Sequence, residues 1–380
     1  MEMNRVFIVG GLRSHIGLKN GIFRHIPAEK LGAAVLSKVT ERNTELTVDE
    51  IICGNATGTG GNISRLMALY AGLAEEIPAY TVDMQCASSL SCTAAAFAKI
   101  RSGLADCIIS GGFESSSLQP TRLYNENDPR SRHKPGGYLC AQFSPGETDE
   151  NAMLKGAERV AVKESVSKAE MDSSVLESHR RAVKAYKSGI LKDIICPVFG
   201  SSMDEGLRHR VSQRLLDRLP PLLGNGGLIN AANTCSINDG AAFLVLCSES
   251  AAKLAGLKPE AEIVGECSVG CDPLYSPACA QEAAEKCVKK FGLTFSDISG
   301  FEFNESFAVI DVLFKRKYPC LTERYNRFGG ALSYGHPYGA TGAILLLHLI
   351  KSLGGKHGAL GLCSAAAAGG LGSAILIRRP

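Results

Sequence analysis

The chain has 380 residues, a formal net charge of +3, 45% hydrophobic residues, 41 glycines and no tryptophan. That length exceeds one ordinary domain and suits two or three packed units. So slight a charge gives no sign of a nucleic-acid surface, and no apolar run approaches the roughly 18 residues of a membrane span.

The first residues carry no signal-peptide core and the last three carry no peroxisomal address, so the expected location is the cytoplasm. The 14 cysteines are scattered, and Cys271, Cys279 and Cys287 recur at a spacing unlike that of metal ligands. They are expected to be mostly small buried hydrophobes, with no metal bound.

Strand-like β-branched runs alternate with helical runs, which predicts an α/β fold with parallel strands. Strands are expected at 6–9, 50–53, 80–83 and 106–110, with helices at 27–40, 65–71 and 88–102. The last third repeats this grammar: strands at 261–269, 300–304, 358–363 and 372–377, helices at 279–291 and 339–353. The helix after Gly339 is like the helix after Cys86, small residues first and bulky apolar ones later, which hints at two related halves. Between them lies a charged, turn-rich stretch that includes Lys155, Arg159, Lys163, Arg180 and Arg181. The expected organisation is an N-terminal half at 1–117, an inserted lid-like region at 118–248 and a C-terminal half at 249–380.

Cys86 sits between a strand and a small-residue helix. The field and free N–H groups of a helix N-terminus favour thiolate over thiol, and a thiolate can take an acyl group from a thioester. His336, in Gly335-His336-Pro337, opens another helix and can take the Cys86 proton. A water ordered by Asn304, in Asn304-Glu305-Ser306-Phe307, can help to hold a developing oxyanion.

These motifs, in this order, together with Gly54-Asn55 and Gly111-Gly112-Phe113-Glu114-Ser115, resemble the thiolase family over nearly the whole chain. The resemblance implies a five-layered αβαβα fold of two similar halves with an inserted loop domain. It implies an acyl-CoA C-acyltransferase that makes or cleaves 3-oxoacyl-CoA through an acyl-Cys86 enzyme. CoA and acyl-CoA are its substrates, with no further cofactor, and homodimers or homotetramers are its usual assemblies; fatty acid metabolism is the expected setting. It places Met153, Asn233, Thr234, Cys235 and Phe307 near the CoA arm, and the N–H groups of Cys86 and Ala368 at a second oxyanion hole.

Four departures stand out. The Met153-Leu154-Lys155-Gly156 stretch lacks the family's first glycine, Leu219-Pro220-Pro221 lacks an arginine, and the loop after Asp272-Pro273 looks short. A pocket different from the acetoacetyl-specific type is expected. The largest departure is in Ala366-Ala367-Ala368-Gly369-Gly370-Leu371-Gly372, where the family begins with a proton-shuttling cysteine. Either Ala366 replaces that thiol, and the carbon-acid step is impaired, or Cys363 reaches the site through a local shift. The glycines fix the register and favour the first. Transfer to a non-carbon acceptor and a non-catalytic CoA-binding role are the alternatives.

Overall fold

The computed structural model describes residues 3–133, 135–146 and 149–380. The first half comprises β1 (Val6–Arg13), the short β2 (Gly17–Leu18), α1 (Ala28–Glu41), β3 (Glu50–Gly54), α2 (Ile63–Tyr70), β4 (Ala79–Val82), α3 (Ser88–Arg101) and β5 (Cys107–Ser115). The intervening region contributes α4 (Ala152–Lys163), α5 (Lys168–Ser188) and α6 (Gln213–Leu216). Then come β6 (Asn238–Ser248) and α7 (Glu249–Leu254). The second half comprises β7 (Ala261–Gly270), α8 (Cys279–Lys290), β8 (Ile298–Phe303), α9 (Ala308–Lys317), α10 (Ala331–Tyr334), α11 (Thr341–Leu353), β9 (Leu360–Ala367) and β10 (Leu371–Arg378).

Local signals set several boundaries. Ser167 and Glu170 form a reciprocal capping box at the start of α5, and Gly189 ends it at φ 68°. The charged stretch of the sequence is therefore helical, with a buried stripe that includes Met171, Val175 and Ala182.

The strands follow the order β4-β3-β5-β6-β1-β7-β10-β9-β8, with β2 attached to β6. β3 pairs in parallel with β4 and β5, and β5, β6 and β1 are joined antiparallel. The second half copies this: β8 and β9 are parallel, and β9, β10 and β7 are joined antiparallel. Thus β1, β3, β5 and β6 correspond to β7, β8, β9 and β10, and α3 corresponds to α11. Among the described residues, the strands of the two halves pair only through Phe7↔Glu262 and Ile8↔Ala261.

Packing separates the layers. α3 and α11 bury Leu90, Ala96, Leu346 and Leu349 in a central core with residues of both sheets, such as Ile108 and Ile375. α1 and α2 cover the other face of the first sheet with Leu31, Leu36 and Met67. α8 and α9 cover the other face of the second with Ala283, Cys287 and Phe314. This is the αβαβα layering expected from the sequence.

One boundary differs. β6 lies within the span expected for the insertion, 118–248, yet it is buried at every residue and pairs with both β5 and β1. The insertion therefore lies between β5 and β6, at 116–237. Among the described residues no helix is long and apolar enough to cross a membrane, and no group of three or more potential metal-ligating side chains occurs.

Candidate active site

The site forms where the two halves touch, and glycine makes that approach possible. A Cβ on Gly112 would lie 1.9 Å from the Gly339 carbonyl oxygen, and one on Gly54 would lie 2.7 Å from the same atom. Beside them Glu114, fully buried at the end of β5, acts as a clamp. Its carboxylate accepts the N–H groups of Ala56 (3.0 Å), Thr57 (3.2 Å) and Gly339 (3.0 Å), the Thr57 hydroxyl and the Asn55 amide. Burial raises its pKa above the ordinary carboxylate value, and these donors oppose the rise.

Cys86 follows β4 in a single 3-10 turn, Gln85–Ala87, that runs into α3. The turn is sharp because Gln85 adopts φ 51°. A non-glycine residue in that region carries strain of roughly 1–3 kcal/mol, a cost that clusters at functional sites. The surroundings hold it there: Gln85 donates both its backbone N–H and its side-chain amide to Asp83, and Ser88 Oγ donates to the Gln85 carbonyl. Cys86 is 8% exposed. Burial pushes its thiol up to about 12; its own backbone N–H opposes this, and the charges of Glu114 and Asp83 add to it. This corrects the expectation of a resting thiolate, since desolvation outweighs the helix N-terminus.

His336 lies in the turn between α10 and α11. Gly335 before it has φ 100°, and a Cβ there would fall 2.1 Å from Asn238 Oδ1, the atom that accepts the His336 N–H at 3.0 Å. The ring is oriented at both nitrogens. Nδ1 lies 2.6 Å from Thr341 Oγ1, whose hydroxyl donates to the Pro337 carbonyl at 2.9 Å. With that proton committed, Thr341 can only accept from the ring, which puts the hydrogen on Nδ1 and a lone pair on Nε2. Asn304 Nδ2 donates to that Nε2 at 3.2 Å. Burial lowers the His336 pKa to about 3, so the imidazole is neutral.

Cys86 and His336 open onto one cavity of about 610 Å³. Of the residues expected near CoA, Met153 on α4, Thr234, Cys235, Phe307 and Ala368 line it. Asn304 is fully buried behind the wall and acts through His336; its Oδ1 has no partner. Asn233 is also fully buried and does not line the cavity. It braces the loop, donating to the Leu228 carbonyl and accepting from the Asn230 N–H.

Ala366 and Cys363 both lie in β9 and neither lines the cavity. Successive strand residues face opposite sides. Ala365 and Ala367 accordingly join the central core, and Ala366 joins the outer core with α8 and α9. Cys363, an odd number of residues away, faces the central layer opposite Ile375 and Glu302. The β9–β10 register runs without a shift from Leu360 to Ala367. No local slip carries Cys363 to the site.

The wall also carries residues the sequence reading did not single out. Tyr338 stands edge-on to His336, with ring centroids 4.8 Å apart and planes at 78°. Phe143, Leu222 and Cys140 belong to the insertion, and Ser306 precedes Phe307 on the wall. Tyr338 was within reach of sequence reasoning, since it follows Gly335-His336-Pro337 directly.

A strained turn carrying a buried thiol, a neutral oriented imidazole and a cavity between two matched halves make up the candidate site. The model of the thiolase N-terminal domain matches residues 6–250, and that of the thiolase C-terminal domain matches 257–379. The chain belongs to the thiolase family and is an acyltransferase. It is 31% identical to a Staphylococcus epidermidis protein described as a candidate acetyl-CoA C-acetyltransferase, VraB, over 99% of each chain. It is 35% identical to a Bacillus subtilis protein described in the same way, YhfS, over 91% of each chain. Among solved structures, the Bacillus anthracis acetyl-CoA acetyltransferase superposes with a TM-score of 0.89 at 28% identity, covering 100% of both chains. Human mitochondrial 3-ketoacyl-CoA thiolase in complex with CoA gives the same TM-score and identity, covering 100% of this chain and 99% of its own.

Proposed function

We propose that the chain cleaves or forms 3-oxoacyl-CoA through an acyl-Cys86 intermediate. The observation that carries this reading is the oriented chain Thr341–His336–Asn304, whose imidazole lines the same cavity as Cys86. His336 Nε2, exchanging its hydrogen bond from Asn304 for the thiol proton, takes that proton as sulfur attacks the thioester or ketone carbon, so charge develops only with the reaction. The protonated His336, held by Asn304 from behind the wall, then faces the oxyanion, with a water as a further donor. The Cys86 and Ala368 N–H groups serve the second tetrahedral intermediate.

Acyl-CoA and CoA are the substrates of this reading. Met153, Leu154, Leu222 and Phe143 give the cavity an apolar wall suited to the pantetheine arm. Transfer between a thiol and a thioester requires no resident cofactor. Two solved relatives, the human thiolase and Acat5 thiolase of Ascaris suum, are described in complex with CoA. The acylation half rests on Cys86 and His336 alone, whereas carbon-acid chemistry at position 366 finds no thiol.

The chain also pairs with a second copy. β4 is an edge strand, and α2 beside it exposes Leu66, Leu69 and Tyr70 at 44%, 42% and 55%. Light scattering should give a dimer or a tetramer; a monomer refutes the pairing. For the chemistry, incubation with acetyl-CoA followed by intact-mass and peptide analysis should show an acetyl group on Cys86. An adduct without thiolysis of any 3-oxoacyl-CoA favours transfer to another acceptor, and no adduct refutes the reading.

A further inference from the structure

Cleaving a 3-oxoacyl-CoA breaks the bond between C2 and C3. Cys86 sulfur keeps the acyl fragment, and the electron pair passes to C2 of the departing acetyl-CoA, where it needs a proton. The donor must lie on the cavity wall, hold a proton while neutral and be distinct from His336, which is engaged with Cys86 and Asn304. Ala366 and Cys363 fail the first condition.

We propose that Cys235 is the second thiol of this site, the group that gives a proton to C2 in cleavage and removes it in condensation. Three observations converge on it. Cys235 lines the same cavity as Cys86 and His336. Its loop is pinned on both sides to the two catalytic loops: Thr234 bridges Phe307, Ile237 bridges His336, and the Cys235 N–H donates to the Ser306 carbonyl at 2.9 Å. Burial, with a smaller contribution from charge on Cys86, raises its pKa and keeps the thiol protonated. The residue that accepts from Cys235, Ser306, is itself 3% exposed and lines the cavity, and its buried hydroxyl has no partner. A buried hydroxyl left unpaired at a cavity wall awaits a ligand atom. The thioester oxygen of acetyl-CoA, which gains charge as C2 becomes a carbanion, supplies one.

The proton balance closes without another reactant. Cys235 S–H protonates C2 and becomes a thiolate. The incoming CoA thiol returns a proton to it and attacks the acyl group on Cys86. Cys86 leaves as thiolate and recovers its proton from His336. The impairment expected from Ala366 alone then does not arise, because the thiol comes from the end of the insertion, just before β6, rather than from β9.

This inference rests on the acyl-Cys86 reading, and the test separates the two. Cys235→Ala and the near-isosteric Cys235→Ser are compared with the unsubstituted chain in three assays: the acetyl adduct on Cys86, thiolysis of 3-oxoacyl-CoA, and exchange of the acetyl-CoA C2 hydrogens in deuterated water. Both variants should still form the adduct, lose thiolysis by about 10²–10⁴-fold and lose exchange to the same degree, the usual cost of removing a positioned proton donor. Thiolysis or exchange within about threefold of the unsubstituted chain in both variants overturns the inference, since a transferring group cannot be removed so cheaply. So does an adduct without exchange in the unsubstituted chain, or loss of exchange in Tyr338→Phe while Cys235→Ser retains it. Absence of any adduct in the unsubstituted chain overturns the acyl-enzyme reading itself.

Discussion

Glu114 accepts the backbone N–H of Gly339 at 3.0 Å across 225 residues of sequence, and this contact ties the first half to the loop that carries His336. The same carboxylate holds Ala56 and Thr57 beside the cavity, so it sets the position of the His336 loop against the loop after β3. Glu114→Gln keeps the volume but turns an N–H₂ group toward donors that need an acceptor. Each buried donor left unpaired costs about 1–3 kcal/mol. The variant should unfold at lower urea, and its Cys86 acylation should slow. Unchanged stability together with unchanged acylation contradicts the clamp.

Thr341 is argued to fix the His336 tautomer by accepting the Nδ1 hydrogen. Thr341→Val removes the acceptor and preserves the shape. The imidazole is then free to place its hydrogen on Nε2, which faces Asn304 Nδ2 and can no longer take the Cys86 proton. Loss of one buried hydrogen bond of about 1.4 kcal/mol corresponds to a tenfold slower acylation. The fall should appear in kcat with KM little changed, as expected of an orienting group; a change in KM alone argues against it.

The site was legible where chemistry sits in contiguous loops. Cys86 and His336 are each framed by small residues that admit close backbone approach, and glycines with that purpose stand out in a sequence. β6 was hidden for the opposite reason. As an interior strand buried on both faces, its 241–247 stretch shows no alternation, and Asn238-Asp239-Gly240 before it reads as a loop. The ionisation of Cys86 could not be read either, since helix position is local whereas burial depends on every layer packed above it. The same holds for Ala366: the motif gave its register, but only strand pairing shows which face it takes. Cys235 had been placed near CoA by resemblance alone; its place beside the Phe307 and His336 loops comes from two bridges between distant loops.

The resting state of the nucleophile makes a pH prediction. Its thiol is pushed up to about 12 and His336 down to about 3, so over the neutral range the pair is thiol and neutral imidazole. Alkylation of Cys86 follows the thiolate fraction and should climb about tenfold per pH unit between roughly pH 7 and 10 without levelling off. A plateau reached near pH 7 means a thiolate–imidazolium pair instead.

A second pH effect concerns stability. Glu302 lies fully buried in β8, both carboxyl oxygens lack partners, and burial raises its pKa well above the ordinary value, with Glu305 adding to the rise. The folded state therefore prefers the protonated acid, whereas the unfolded chain ionises near 4.3. Its contribution is complete below about pH 4 and is lost progressively as pH rises toward the folded value, by up to about 1.4 kcal/mol per unit. Glu302→Gln removes the titrating proton and keeps the shape. Urea unfolding of that variant between about pH 5 and 9 should show stability falling less steeply than in the unsubstituted chain by up to that amount. Equal slopes contradict a buried neutral Glu302.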